Sequence, residues 1–183
     1  MDFKRILKQL LASFGEQHIR YALIGGFALG ARGIPRSTVD IDFLIHHDDL
    51  QKVQAVMTSM GYECRYQTEN VSQYVSPLKI FGEVDFLHAF RKISMLMLQR
   101  ADEIKIFEGS LTARVLKVED LIGLKLQAMA NDSTRTSVDL PDIEMLMDRY
   151  REELDWNTVQ EYFALFEQQE LFSTLKRKYH HAE

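Results

Sequence analysis

Apolar and polar residues recur along this chain in two rhythms, and the switch between them divides it. Phe3, Ile6, Leu7, Leu10, Leu11 and Phe14 return at intervals of three and four, which predicts an amphipathic helix over 2–16. A strand follows at 20–24, Gly25-Gly26 leads into a helix over 26–32, Gly33-Ile34-Pro35 ends it, and an apolar strand spans 39–45. A helix over 49–60 opens on Asp48 and Asp49, where the helix dipole favours acids, and closes at Gly61. The period then shortens: 62–66, 71–75 running on to Ile80, and 84–87 read as three strands, punctuated by Asn70 and Phe81-Gly82. A short helix over 91–100 and a strand pair at 103–107 and 111–116 around Glu108-Gly109 complete this half. From Val118 the spacing is helical: Leu121, Ile122, Leu124, Leu126, Ala128 and Met129 mark one segment. Ile143, Met145, Leu146 and Met147 mark a second, and Val159, Phe163, Leu165 and Phe166 a third. The end, Lys176 to His181, reads as a frayed, solvated tail, with an RNA-contacting patch as the alternative. The expected class is α+β, with a small mixed β-sheet flanked by helices over 1–117. A helical segment over 118–183 follows and completes the cleft.

Composition narrows this picture modestly. At 183 residues, 46% hydrophobic and 27% charged, the chain is globular, one domain or a core with a helical appendage. Its net charge of -5 gives no global basic field for nucleic acid, although a local basic patch is compatible with it. The single Cys64 excludes an internal disulfide and a cysteine-based zinc cage, and reads as a small, partly buried strand residue. The N-terminus lacks the unbroken apolar core of a signal peptide, and no apolar run reaches membrane-spanning length. A cytoplasmic protein with no membrane partner is expected.

The chemistry concentrates between residues 25 and 85. Side chains alternate along a strand, so Asp40 and Asp42 share one face while Ile41 and Phe43 take the other. Two acids on one face repel, and a cation between them relieves that repulsion. Asp85, in Glu83-Val84-Asp85-Phe86-Leu87, offers a third carboxylate from a neighbouring strand. Gly25-Gly26 at the start of a helix lets backbone N–H groups approach a phosphate closely. Together these residues make a magnesium site facing a phosphate-bearing substrate.

Other candidates are less specific. Arg36 could pair with a γ-phosphate or with Asp42, and Thr38 could cap the turn or bond a phosphate. Lys125, on a helix with Leu124 and Leu126, could reach a triphosphate as a mobile point charge. Asp139 could hold Lys125 or Arg135 in place, while Asp142 reads as a first-turn acid after Pro141. His46-His47 is not a zinc site, because adjacent strand residues point apart and no third ligand is spaced to join them. Tyr62, Tyr66 and Tyr74 read as sheet-face packing, and Trp156 as an anchor between helices.

Gly25-Gly26, Asp40-x-Asp42 and Asp85 resemble the pattern of the DNA polymerase β-like nucleotidyltransferase superfamily. The fuller string, Gly25-Gly26-Phe27-Ala28-Leu29 with Arg36, Thr38, Asp40 and Asp42, is closer to its AbiEii-like branch, toxins of toxin–antitoxin systems. Lys125-x-x-Ala128, Arg135 and Asp139-x-x-Asp142 resemble that branch's signature in the helical segment, with Val138 where a lysine is common. The opening is also similar to that of antibiotic nucleotidyltransferases. The resemblance implies transfer of NMP from an NTP to an acceptor hydroxyl, with two Mg²⁺ held by Asp40, Asp42 and Asp85. Asp85 would also activate the acceptor, and Gly25, Gly26, Arg36, Thr38, Lys125 and Asp139 would hold the nucleotide. The implied acceptor is a tRNA end, a protein or a small molecule, and a cognate antitoxin is an implied partner. An antibiotic-modifying enzyme would need acids for a cationic drug, for which Glu83, Asp102 and Glu108 are available. A third reading keeps the fold as a non-catalytic partner in a toxin–antitoxin pair.

Overall fold

The structure, a computed structural model, describes residues 2–78 and 81–180. It divides into two units, Met1–Leu116 and Lys117–Glu183. In the first, helix α1 (Phe3–Glu16) is capped by Asp2, whose carboxylate accepts from the Arg5 N–H, and buries Ile6, Leu7, Leu10 and Phe14. Strand β1 (Tyr21–Ile24) runs directly into the short helix α2 (Gly25–Ala31), and β2 (Asp40–His46) returns antiparallel to β1. A 3₁₀ turn at His47–Asp49 leads into α3 (Leu50–Ser59). Then come β3 (Glu63–Gln67), β4 (Val71–Val75), β5 (Glu83–Ala89), α4 (Lys92–Gln99), β6 (Asp102–Ile106) and β7 (Leu111–Val115).

The seven strands form one mixed sheet in the order β3-β4-β5-β2-β1-β7-β6. Its two parallel contacts, β2 with β5 and β1 with β7, are the crossovers; the other pairs are antiparallel. Ile41, Phe43, Val84 and Phe86 are at most 1% exposed on one face. Phe14 meets Phe43 edge-on at 5.3 Å, Phe43 stacks on Phe86 at 5.6 Å, and Tyr74 meets Phe86 edge-on at 5.6 Å. That aromatic layer pins the register, because a one-residue slip would turn Phe43 and Phe86 to the polar face and the acids to the core.

Asp49 is the buried polar pin on this unit's helical side. It accepts from the Arg20 backbone N–H at 3.0 Å, from Arg20 Nε at 2.8 Å and from Lys52 Nζ at 3.3 Å. Burial pushes its pKa up, but these bonds outweigh it and hold the carboxyl at about 2. A depressed folded-state pKa stabilises the protein above the unfolded value of 3.8 and ceases to do so as pH falls through about 2. Asp49→Asn is therefore expected to lower the melting temperature at pH 7, with a gap from wild type that closes between those two pH values. Equal gaps at pH 7 and pH 2 in thermal melts would contradict this.

The second unit holds α5 (Val118–Asn131), α6 (Thr136–Tyr150), α7 (Trp156–Leu165) and α8 (Gln169–Tyr179), with a 3₁₀ turn at Ser133–Arg135. Gly123 lies mid-helix because α7 crosses there: a Cβ would come within 2.7 Å of the Tyr162 ring. The Tyr162 hydroxyl donates to the buried Asp120 carboxylate at 2.7 Å. Lys125 Nζ bridges Asp139 at 2.8 Å and Asp142 at 2.6 Å, and Arg135 Nε adds a bond to Asp139 at 2.8 Å. Burial pushes the Asp139 pKa up, yet Arg135 and Lys125 bring it below the ordinary carboxylate range.

Several expectations change. Cys64 is exposed, because β3 is an edge strand whose five residues are all exposed and whose pairing is irregular between Cys64 and Tyr66. Tyr66 is 55% exposed with it, whereas Tyr62 and Tyr74 pack in the core as expected. Pro141 does not start a helix: α6 begins five residues earlier, at Thr136, and carries Asp142 inside it as a buried partner of Lys125. Residues Lys176–Tyr179 end α8, because Phe172 and Leu175 bury its inner face. Ile80 and His181 lie outside the described residues. Trp156 does sit between helices, its ring 6.5 Å from Phe172 and 5.0 Å from His180. No helix among the described residues is long and apolar enough to cross a membrane.

Candidate active site

The site grows from three neighbouring strands. Alternation puts Asp40 and Asp42 on the face of β2 opposite Ile41 and Phe43. Parallel pairing of β2 with β5 then sets Asp42 directly beside Asp85, and Asp40 beside Glu83. One carboxylate oxygen from each of Asp40, Asp42 and Asp85 lies within 4.8 Å of the others, the only such cluster of potential metal ligands among the described residues. All three side chains are half-buried.

Two of the acids are held by different partners. Thr38 Oγ1 donates to Asp40 Oδ1 at 2.6 Å, so its hydroxyl orients a carboxylate. Gln73 of β4, opposite Asp85 in the ladder, donates from Nε2 to Asp85 Oδ2 at 3.3 Å. The other oxygen, Asp85 Oδ1, is buried without a hydrogen-bond partner among the described residues. Burial raises the Asp85 pKa; the Gln73 bond opposes this, and the charges of Asp40 and Glu83 add to it. An orphaned, charged, buried oxygen facing two more carboxylates is what a hard divalent cation relieves. The donor set therefore fits Mg²⁺.

Gly25 has φ +64°, and a Cβ there would overlap the Asp42 carboxylate. Only glycine lets the chain turn from β1 into α2 this close to the acid. A Cβ on Gly26 would lie 2.9 Å from Thr38 Cβ and 3.7 Å from Arg36 Cγ, so the 36–38 loop covers this turn. Beside it opens a cavity of about 550 Å³ that brings Arg36, Lys105, Phe27 and Phe107 around Gly26 and Thr38. The Phe27 and Phe107 rings are 5.9 Å apart, and Phe107 takes φ +49°, a costly conformation for a bulky residue.

Gly25→Ala is expected to lose turnover by about 10²-fold or more, because displacing the acid misplaces reacting groups. It is also expected to cost about 1–3 kcal/mol of stability. Gly30→Ala in the same helix meets nothing within 4 Å and should stabilise by about 0.5–1 kcal/mol. Equal behaviour of the two variants in melts and turnover would show that the close approach is not needed.

The remaining candidates are scattered. His46 Nδ1 accepts from the Asp48 N–H at 3.3 Å, and His47 meets the Phe90 ring, so the two point apart. Asp102 is committed to Arg32 at 2.8 Å, while Glu83 stays on the acid face and Glu108 lies exposed in the β6–β7 turn. Sequence reasoning missed Gln73 altogether. Its only signal is its place in a strand whose pairing with β5 is visible in three dimensions alone.

Among solved structures, the chain is similar to the antibiotic-resistance factor ANT(2'')-Ia in complex with adenylyl-2''-tobramycin, at 14% identity and a TM-score of 0.67, over 93% of this chain and 99% of that one. It is similar to the lincomycin-bound lincosamide adenylyltransferase LnuA at 16% identity and 0.56, over 78% and 94%. It also matches a nucleotidyltransferase described as putative from Thermotoga maritima at 12% and 0.58, over 77% and 93%. At these identities the likeness is one of fold. No curated protein matches the chain. The model of one family, described as uncharacterised nucleotidyltransferase, matches residues 2–175. With almost the whole chain matched and the carboxylates gathered beside the Gly25 turn, this protein belongs to that nucleotidyltransferase family.

Proposed function

We propose that this protein transfers a nucleoside monophosphate from an NTP to an acceptor hydroxyl and releases pyrophosphate. The observation that carries the reading is the unpartnered, buried Asp85 Oδ1 facing Asp40 and Asp42. Asp40, Asp42 and Asp85 would hold Mg²⁺, two ions in the full site. Bound there, the metal supplies charge neutralisation on the triphosphate and a lowered pKa for the attacking hydroxyl.

The chain's own residues set the stage for that chemistry. Thr38 donates its hydroxyl to one oxygen of Asp40, and Gln73 bonds one oxygen of Asp85 while leaving the other to a metal. Asp85, with one oxygen held by Gln73 and set beside Asp42, is positioned to take the proton of the acceptor hydroxyl. Gly25 and Gly26 let phosphate oxygens approach the backbone, and Arg36 and Lys105 bring positive charge to the adjoining cavity. Lys125 and Asp139 enter through the motif resemblance as nucleotide contacts, with Lys125 Nζ already fixed by two carboxylates.

For the acceptor, the resemblance to the AbiEii-like toxins favours an RNA end, with a cognate antitoxin as partner. The second reading is a small-molecule acceptor, favoured by the fold's likeness to two antibiotic adenylyltransferases. Incubating the protein with Mg²⁺, each α-³²P-labelled NTP, and total RNA, total protein or aminoglycosides separates these. Label in RNA supports the first reading and label in a drug the second. No label anywhere, with Asp42→Asn indistinguishable from wild type in Mg²⁺-dependent NTP binding, defeats the catalytic proposal.

A further inference from the structure

A second cavity, of about 750 Å³, lies at the other end of the central strands. It reaches His46, the last residue of β2, whereas Asp40 is the first. At about 3.3 Å per residue the two ends of that strand are roughly 20 Å apart. The cavity is thus separate from the carboxylate cluster, and the proposed transferase reaction does not use it.

Its chemistry is two-sided. Three large apolar side chains of the α4 region line it while remaining open to solvent: Phe90 at 36%, Met95 at 40% and Leu96 at 46%. Facing them is Arg114 of β7, whose Nη2 donates to the carbonyls of Leu98 at 2.7 Å and Gln99 at 3.3 Å. Its Nε is buried with no hydrogen-bond partner among the described residues. This cation meets neutral carbonyls, and its cross-strand neighbour Glu103 is exposed and forms no ion pair with it. Lys92 adds a second positive charge on the rim, while the nearby Arg20 is already engaged by Asp49 at 2.8 Å. A half-buried guanidinium with no carboxylate bonded to it among the described residues, set against an open apolar wall, is a recognition site for a ligand carrying both features.

We infer that this cavity binds a small amphipathic anion. A carboxylate, sulfonate or phosphate monoester sits toward Arg114 and Lys92, and its apolar body lies on Phe90, Met95 and Leu96. The volume suits a ligand of drug-like size rather than a bare inorganic ion.

The probe is 8-anilinonaphthalene-1-sulfonate, titrated by fluorescence against the full chain, with 2-naphthoate, 2-naphthylmethylamine and inorganic phosphate as competitors. One saturable site is expected, displaced by naphthoate and by neither the amine nor phosphate. Arg114→Met should weaken the probe by about 10- to 100-fold, the loss expected for a charge-assisted hydrogen bond. Because Arg114 also ties down the C-terminal end of α4, Lys92→Glu and Leu96→Asp test the same site from exposed positions and should each weaken it. Displacement by the amine as readily as by naphthoate would reduce the site to an apolar face. Displacement by phosphate alone would reduce it to a bare cation. Either result, or unchanged binding in Lys92→Glu and Leu96→Asp, overturns the inference.

Discussion

Replacing Asp85 by asparagine is expected to abolish nucleotidyl transfer and, in the same protein, to raise the melting temperature measured in EDTA. The two effects share one cause. Asp85 is desolvated, its Oδ1 has no partner among the described residues, and Asp40 and Glu83 repel its charge, so the Gln73 bond compensates that ion only in part. Asparagine keeps the shape and removes the charge. It also removes the hard oxygen donor and the proton acceptor, for which a loss of about 10³-fold or more in turnover is expected, at the upper end of what one preorganised electrostatic group supplies. Added Mg²⁺ should raise the melting temperature of wild type by mass action and leave the variant unmoved. A variant that retains wild-type turnover sinks the assignment. One that melts lower than wild type in EDTA shows instead that Asp85 is a structural acid.

Lys125→Met should produce the largest stability loss in the helical unit. Asp139 and Asp142 are only 1% and 2% exposed, and Lys125 Nζ is the cation they share. Removing the shared cation from a buried ionic cluster costs about 3–5 kcal/mol, because Asp139 and Asp142 each lose a charge-assisted bond that offsets their desolvation. At the stability scale of a domain this size, that is a drop of roughly 10 °C or more. Lys125→Arg should recover part of it. If the melting temperature holds while KM for NTP rises, Lys125 is a substrate contact whose carboxylate partners are incidental. A fall in both, partly rescued by arginine, fits a lysine positioned by those acids for the nucleotide.

These predictions rest on unequal kinds of legibility. The helix over residues 2–16 could be read directly, because its apolar stripe at Ile6, Leu7, Leu10 and Phe14 is a property of one segment. Cys64 could not: its strand alternates like a buried one, and only the sheet order puts it at an uncovered edge. Pro141 misled for a related reason. Proline favours the first turn of a helix, yet here it lies inside α6, in a helix whose acids Asp139 and Asp142 are anchored by Lys125 and Arg135 from outside the segment.

By itself, the sequence determined the alternation that puts Asp40 and Asp42 on one strand face, the glycines that precede them, and the change from mixed to helical character near Val118. All of these are set by backbone geometry within a few residues. Only the tertiary structure decided that Asp85 arrives beside Asp42, that Gln73 and Thr38 divide the work of orienting the acids, and that one oxygen is left without a partner. It alone set Arg114 against an apolar wall at the opposite end of the strands. Those relations depend on which strands pair and in what register, which is fixed by burial of Phe43 and Phe86 on the far face of the sheet. Residues more than forty positions apart share that constraint, and no local pattern records it.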